Sequence, residues 1–174
     1  MRKVVVYIAS SLDGFIAAPG DDLSFLDMVQ SQNEDYGYSD FMQTVSTVIM
    51  GRRTYEWLMK QVPEFPHANL EHYIISGKSA PIGKEKYYSG NVTELINTLR
   101  SQPGKNIFVD GGSVLINTLL KEHCIDQIIV SVIPVLLGNG IRLFESGNPV
   151  SGLKLVSAKS FPSGLVQLNY SVNR

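Results

Sequence analysis

Ile107-Phe108-Val109-Asp110-Gly111-Gly112-Ser113-Val114-Leu115-Ile116-Asn117-Thr118-Leu119-Leu120 is the stretch on which the reading of this chain turns. It opens with β-branched and aromatic residues that suit a buried strand, and it closes with Leu115, Ile116, Leu119 and Leu120 at helical spacing. Two glycines lie between. A strand that turns through Gly-Gly into a helix aims free backbone N–H groups and the positive helix end at one point, which suits an anion such as a diphosphate. Glycine also lets a ligand approach the backbone without meeting a Cβ. A tight strand–helix connection with no ligand has the same sequence, so the stretch alone leaves both readings open.

Outward from this point, apolar runs and breakers alternate. Val4–Ala9 is continuously apolar, as a central strand covered on both faces should be. Ser10–Gly20 reads as a loop, Leu23–Gln30 as a helix starting near Asp21 or Asp22, Asn33–Ser39 as irregular, and Phe41–Val45 as a short helix. Thr47–Met50 is a second buried strand, followed by Gly51-Arg52-Arg53-Thr54 and a helix from Tyr55 to Lys60. After a proline-containing loop, Val62–Ala68, comes a third strand, His72–Ile75, closed by Ser76-Gly77-Lys78. Val92–Arg100 reads as a helix capped by Asn91. Ile125–Val135, Leu153–Phe161 and Leu165–Val172 read as strands, the last two joined by a Pro162-Ser163-Gly164 turn. In the last strand Val166, Leu168, Tyr170 and Val172 face one way and Gln167, Asn169 and Ser171 the other. The pattern predicts an α/β fold: a mostly parallel central sheet, helices on its faces, and a C-terminal antiparallel hairpin.

Length and composition fit a single globular domain over residues 1–174, with 44% hydrophobic and 18% charged residues. The net charge of −1 implies no general attraction to nucleic acid or to an anionic membrane surface. No apolar run approaches a membrane span, and the basic start before Val4 reads as the approach to a first strand rather than a signal peptide. The cytoplasm is the default location. Cys124 is the one cysteine, expected to be a buried structural thiol, and no Cys/His cluster suggests zinc or another metal. His67, His72 and His123 are scattered and read as surface or structural.

Three strand ends carry compatible chemistry. Gly51-Arg52-Arg53-Thr54 offers a helix start, two guanidinium forks and a hydroxyl, which suit phosphate. Ser76-Gly77-Lys78 offers a hydroxyl, open backbone and a cation, and Gly111-Gly112-Ser113 a second helix start. Three such corners on one sheet suggest a ligand with several phosphates, against the alternative that the cations are solvated surface charges. No GxGxxG follows the first strand, and no GxxxxGK[ST], GxSxG or HExxH motif is present.

Taken in order, Ser11–Ala17, Val48–Tyr55, Ile74–Ser76, Asp110–Ser113 and Pro134–Phe144 resemble the dihydrofolate-reductase-like superfamily. Within it the chain looks most like the stand-alone reductase half of the riboflavin-biosynthesis deaminase/reductase, and Asp110 before Gly-Gly resembles that type more than the folate type. The resemblance implies a three-layer dihydrofolate-reductase-like fold, NADPH as cofactor, and transfer of hydride to a small substrate, heterocyclic or similar to a riboflavin precursor. It further implies that Gly51, Arg52, Arg53 and Thr54 hold the adenosine-side phosphates. Arg52, or Lys78 with Ser76 and Gly77, would read the 2′-phosphate. Gly111, Gly112, Ser113 and Val114 would hold the diphosphate, and Ala9, Ile16 and Ala17 would line the nicotinamide. Folate-reducing members carry an arginine before the third strand, whereas Leu58–Tyr73 has none. The zinc motifs of the deaminase half are also absent. An alternative is a non-catalytic nucleotide-binding module that retains the cofactor cleft.

For the proton that accompanies hydride, Asp13 and Asp27 are the catalytic candidates, set against a turn aspartate and an exposed helix carboxylate, respectively. Tyr36, Tyr38 and Trp57 are candidates to flank a planar substrate. Members of the superfamily are often dimers. The apolar, glycine-containing Leu136–Phe144 either meets a partner in a homodimer or folds onto its own core.

Overall fold

The N-terminal apolar run forms strand β1 (Val4–Ser11), in which Val4, Val5 and Val6 are buried. The structure, a computed structural model, describes residues 1–77 and 86–173. β1 lies between β6 (Asn106–Gly111) and β7 (Gln127–Ile133), parallel to both. Beyond β6 run β3 (Val45–Gly51), β4 (Glu71–Ile75) and the two-residue β5 (Tyr87–Tyr88), all parallel. On the other side β7 pairs antiparallel with β10 (Val166–Val172), which forms a hairpin with β9 (Leu153–Ser160). The eight strands follow the order β5-β4-β3-β6-β1-β7-β10-β9. A mostly parallel sheet with a C-terminal antiparallel hairpin is thus observed as expected.

Alternation along β1 divides the core into two layers. Val4, Val6 and Ile8 pack with α3 (Val92–Ser101) and α4 (Ser113–Lys121), through Leu95, Ile96, Leu99, Ile116 and Leu119. Val5 and Tyr7 pack on the opposite side, with Phe41 of α1 (Tyr38–Gln43) and Tyr55 and Leu58 of α2 (Arg52–Gln61). Burial of each such large apolar side chain stabilises the fold by roughly 1.5–3 kcal/mol, and this sets the three-layer arrangement. The Asn91 side chain accepts hydrogen bonds from the Thr93 and Glu94 N–H groups and fixes the start of α3, as its sequence predicted. Cys124 is buried at the end of α4.

Several boundaries differ from the sequence reading. Leu23–Gln30 forms a 3₁₀ helix, Ser24–Val29, which buries only Phe25 and Val29. Its backbone bonds span three residues, from the Leu26 N–H to the Leu23 carbonyl at 3.0 Å and from the Gln30 N–H to the Asp27 carbonyl at 3.2 Å. α1 begins earlier than Phe41 and ends before Val45, which instead starts β3. α2 starts at Arg52 rather than Tyr55, directly after Gly51, so no loop separates β3 from its helix. β7 is shorter than Ile125–Val135: the Asp126 carboxylate accepts the Val4 N–H at 2.7 Å, and the strand stops before Pro134. Within the expected loop Ser10–Gly20, β2 (Phe15–Ala17) pairs with β8 (Ile141–Arg142). This pairing depends on Gly140, where a Cβ would stand 2.1 Å from the Ala17 carbonyl oxygen.

Candidate active site

Two neighbouring strand ends create the principal cleft. β3 ends at Gly51, the N-cap of α2, and β6 ends at Gly111, just before Gly112, the N-cap of α4. Neither N-cap has a side-chain hydrogen bond, so the first-turn N–H groups of both helices are left for a ligand or solvent. The two helix starts abut. A Cβ at Gly51 would lie 3.6 Å from the Gly112 nitrogen, and one at Gly112 would crowd Thr54 Oγ1 at 3.1 Å. Gly111 has φ +108°, where a side chain would be strained.

A cavity of about 830 Å³ opens over this junction. Its walls bring together Gly51, Arg52, Arg53, Thr54, Gly111, Gly112, Ser113 and Val114 with Ala9, Ile16, Ala17 and Gly77. The cleft lies beyond the carboxyl ends of parallel strands, where ligands of α/β sheets gather. Residues of β2 and β8, unseen in the sequence, line one wall through Ile16, Ala17 and Ile141.

Other expected residues lie elsewhere. Ser76 is buried and absent from the cleft lining, and its N–H donates to the Tyr88 carbonyl at 2.9 Å. Lys78 lies outside the described residues. Asp13 accepts the Ser11 hydroxyl at 2.6 Å and the N–H groups of Leu137 at 3.1 Å and Gly138 at 2.7 Å. The Ser11 hydrogen bond, helped by the two backbone donors, pulls its carboxyl down to about 2. Held ionised and outside the cleft lining, Asp13 pins the loop after β7 and is poorly suited to donate a proton. Asp27 is exposed on the 3₁₀ helix, accepts the Gln30 amide at 2.7 Å and lines neither cavity. The segment 136–144 divides: Leu143 is buried, whereas Leu136 and Phe144 are exposed.

The guanidinium groups at the cleft are engaged by carboxylates. Arg52 Nε donates to Glu56 Oε1 at 2.5 Å, and this contact raises the Arg52 pKa. Arg53 grips Asp21 through both ends of its fork, at 2.7 and 3.2 Å. Both pairs are exposed, so an incoming phosphate can exchange for the carboxylate at low cost. Asp110 lines the cleft with the buried His67 ring 3.8 Å away.

A second cavity, of about 700 Å³, adjoins the cleft and shares Tyr7, Ala9 and Leu26 with it. Here Gln167 Nε2 donates to the Tyr7 hydroxyl and the Tyr36 carbonyl, each at 3.0 Å, and lies 3.2 Å from Ser131 Oγ. The Tyr7 hydroxyl in turn donates to the Tyr36 carbonyl at 2.9 Å. Burial raises the Tyr7 pKa, the Gln167 hydrogen bond opposes this, and Asp35 and Glu34 add to the rise. Sequence reasoning missed Tyr7, Ser131 and Gln167, because the first two sit in apolar strands that read as core. The available signal was the polar face of β10. Gln167 turns inward to the network while Val166 is exposed. Of the three aromatic candidates, Trp57 lines the cleft and Tyr36 the second cavity, and Tyr38 packs edge-on against Tyr7.

The model of the RibD C-terminal domain family matches residues 66–167. The chain belongs to the RibD C-terminal domain family. It is 40% identical to the uncharacterized protein YwjB of Bacillus subtilis (strain 168) over 171 residues, which span 97% of each chain. A candidate riboflavin biosynthesis protein of Shewanella sp. PV-4 is 26% identical with a TM-score of 0.90, covering 99% of both chains. Dihydrofolate reductase from Enterococcus faecalis, solved with NADP(H), shares the fold at a TM-score of 0.70 and 15% identity, over 99% of this chain and 97% of that one. The dihydrofolate-reductase-like architecture expected from the sequence is therefore the observed one. Among the described residues no helix is long and apolar enough to cross a membrane.

Proposed function

We propose that this RibD C-terminal family member is an NADPH-dependent reductase that passes hydride to a small heterocyclic or riboflavin-precursor-like substrate. The observation that carries the reading is the meeting of two cavities at Tyr7, Ala9 and Leu26, one floored by two uncapped helix starts and the other by side chains. In this reading the backbone of Gly111–Val114 receives the diphosphate, and the α2 start at Gly51–Thr54 receives the adenosine side. The crowding that a Cβ would cause at Gly112 fits a surface shaped for backbone contact. Arg52 takes the 2′-phosphate by exchanging it for Glu56. Ala9, Ile16 and Ala17 border the nicotinamide and exclude water from it. NADPH, when bound, supplies hydride from its nicotinamide ring. With Asp13 and Asp27 placed elsewhere, the proton comes from water at the cavity junction or from the Tyr7 hydroxyl.

A thermal melt with each cofactor tests the assignment. NADPH raises the melting temperature more than NADH does, and no shift with either removes the proposal. Arg52→Ala is expected to weaken NADPH about tenfold and NADH less than about twofold, a difference of at least about 1 kcal/mol. Equal losses would move Arg52 away from the 2′-phosphate. NADPH binding with no oxidation across pterin, flavin-precursor and carbonyl substrates would favour the non-catalytic nucleotide-binding module.

A further inference from the structure

The segment between β7 and β8 carries chemistry that neither cavity uses. Asn139 is the one asparagine of the chain that precedes a glycine; every other is followed by a residue with a Cβ. It is exposed, and its Oδ1 accepts the N–H of Gly140 at 2.8 Å. The Gly140 nitrogen therefore already stands against the side-chain amide, and Cγ lies one bond beyond the oxygen it touches. Gly140 has no side chain to keep the two apart. Because Asn139 is exposed, its amide plane can turn in solvent to present Cγ to that nitrogen.

The backbone here is held on both sides. Before Asn139, the Leu137 and Gly138 N–H groups donate to Asp13 at 3.1 and 2.7 Å. After it, Gly140 lies so close to β2 that a Cβ would stand 2.1 Å from the Ala17 carbonyl oxygen, and Ile141 pairs with Ala17. Both Ala17 and Ile141 line the cofactor cleft. A change in main-chain length at Asn139 has no slack to absorb it and reaches the cleft wall directly.

We propose that Asn139 is a self-modification site whose product loosens the cleft wall built by β2 and β8. The Gly140 nitrogen gives its proton to water or hydroxide and attacks Asn139 Cγ. A new N–Cγ bond forms, the Cγ–Nδ2 bond breaks, and Nδ2 takes up a proton and leaves as ammonia, the route by which asparagine is thermolabile. Water then opens the succinimide ring. Cleavage of the new N–Cγ bond gives aspartate on the original chain path. Cleavage of the original peptide bond gives isoaspartate, whose main chain runs through Cβ and Cγ and is one carbon longer. No atom is oxidised or reduced. The effect on nucleotide binding rests on the reductase reading, whereas the modification does not.

Peptide mass mapping of the full chain, kept for two weeks at mildly alkaline pH and physiological temperature, tests the reaction. The Asn139 peptide should exchange its amide for a carboxylate at least about tenfold faster than any other asparagine peptide. Asn139→Gln, which would have to close a larger ring, should not react at this position and should melt like the parent. An Asn139 that reacts no faster than the other asparagines, or that reacts in urea but not in the native chain, overturns the proposal. The isoaspartate form, isolated by chromatography, should melt earlier and bind NADPH about fivefold more weakly, whereas Asn139→Asp, with the same charge on the original chain path, should stay within about twofold of the parent. An isoaspartate form that behaves like Asn139→Asp overturns the link to the cleft. Failure of every form to bind NADPH, with ammonia still lost and the isoaspartate form still melting early, overturns the reductase reading and leaves the modification standing.

Discussion

The cleft at Gly51 and Gly111–Gly112 presents backbone, whereas the cavity at Tyr7 and Ser131, which Gln167 supports from behind, presents side chains. The first is assembled from two strand–Gly–helix junctions, each contiguous in sequence, that β3–β6 pairing brings side by side. The second draws single residues from β1, β7 and β10 and closes them under the loop around Tyr36. A backbone-built site suits a constant partner, since phosphate recognition needs only N–H groups and helix ends. A site built of scattered side chains can be rewritten one residue at a time, which suits a substrate that differs among relatives with the same fold.

The contrast is most directly broken at Gly140. A Cβ there would stand 2.1 Å from the Ala17 carbonyl, on backbone at φ +139°. Gly140→Ala should destabilise the protein by about 3 kcal/mol, read in a melt as a fall of roughly 9 °C. By displacing β2 it should also weaken NADPH.

Tyr7 tests the boundary itself, because it lines both spaces. Tyr7→Phe removes the hydroxyl bonded to the Tyr36 carbonyl and Gln167, at a cost of about 1 kcal/mol in stability. Steady-state turnover should fall about tenfold while the NADPH dissociation constant stays within about twofold, a difference that only a group facing the substrate produces. A comparable loss of NADPH affinity would place Tyr7 in the cofactor site.

The smallest expected effect is at Asp13, behind both spaces. Its folded-state pKa, about 2, is depressed below the unfolded value near 4 by the Ser11, Gly138 and Leu137 hydrogen bonds. Its contribution is therefore complete above about pH 4 and disappears as pH falls through about 2. Denaturant titrations of Asp13→Asn should show a shallower loss of stability across that window than the parent chain shows. The pH–rate profile near neutrality should keep its shape. An altered profile there would return Asp13 to proton transfer.

The regions legible in the sequence are those where local pattern and tertiary role coincide. Val4–Ala9 read as a central strand because it is covered on both faces, and Gly111–Leu120 read as a strand–helix junction because two glycines interrupt two different periodicities. Arg52, Arg53 and Thr54 follow Gly51 directly, so their common position at the cleft was visible as a motif. Asp13 misled because a carboxylate in a loop after a strand looks the same whether it faces substrate or backbone donors from residues 137 and 138. Asp27 misled because helical spacing does not say which face of a short 3₁₀ segment meets solvent.

From its sequence alone this protein is an α/β domain with a mostly parallel sheet, a hairpin at its end and glycine-marked helix starts. Those properties follow from hydrophobic period and backbone conformational freedom, which act over a few residues. Only the tertiary structure decided that β2 and β8 pair, that Arg53 faces Asp21, and that Tyr7, Ser131 and Gln167 converge beside the cleft. Each of those contacts joins side chains or strands whose register is set by packing across the sheet, and packing depends on every strand being in place at once.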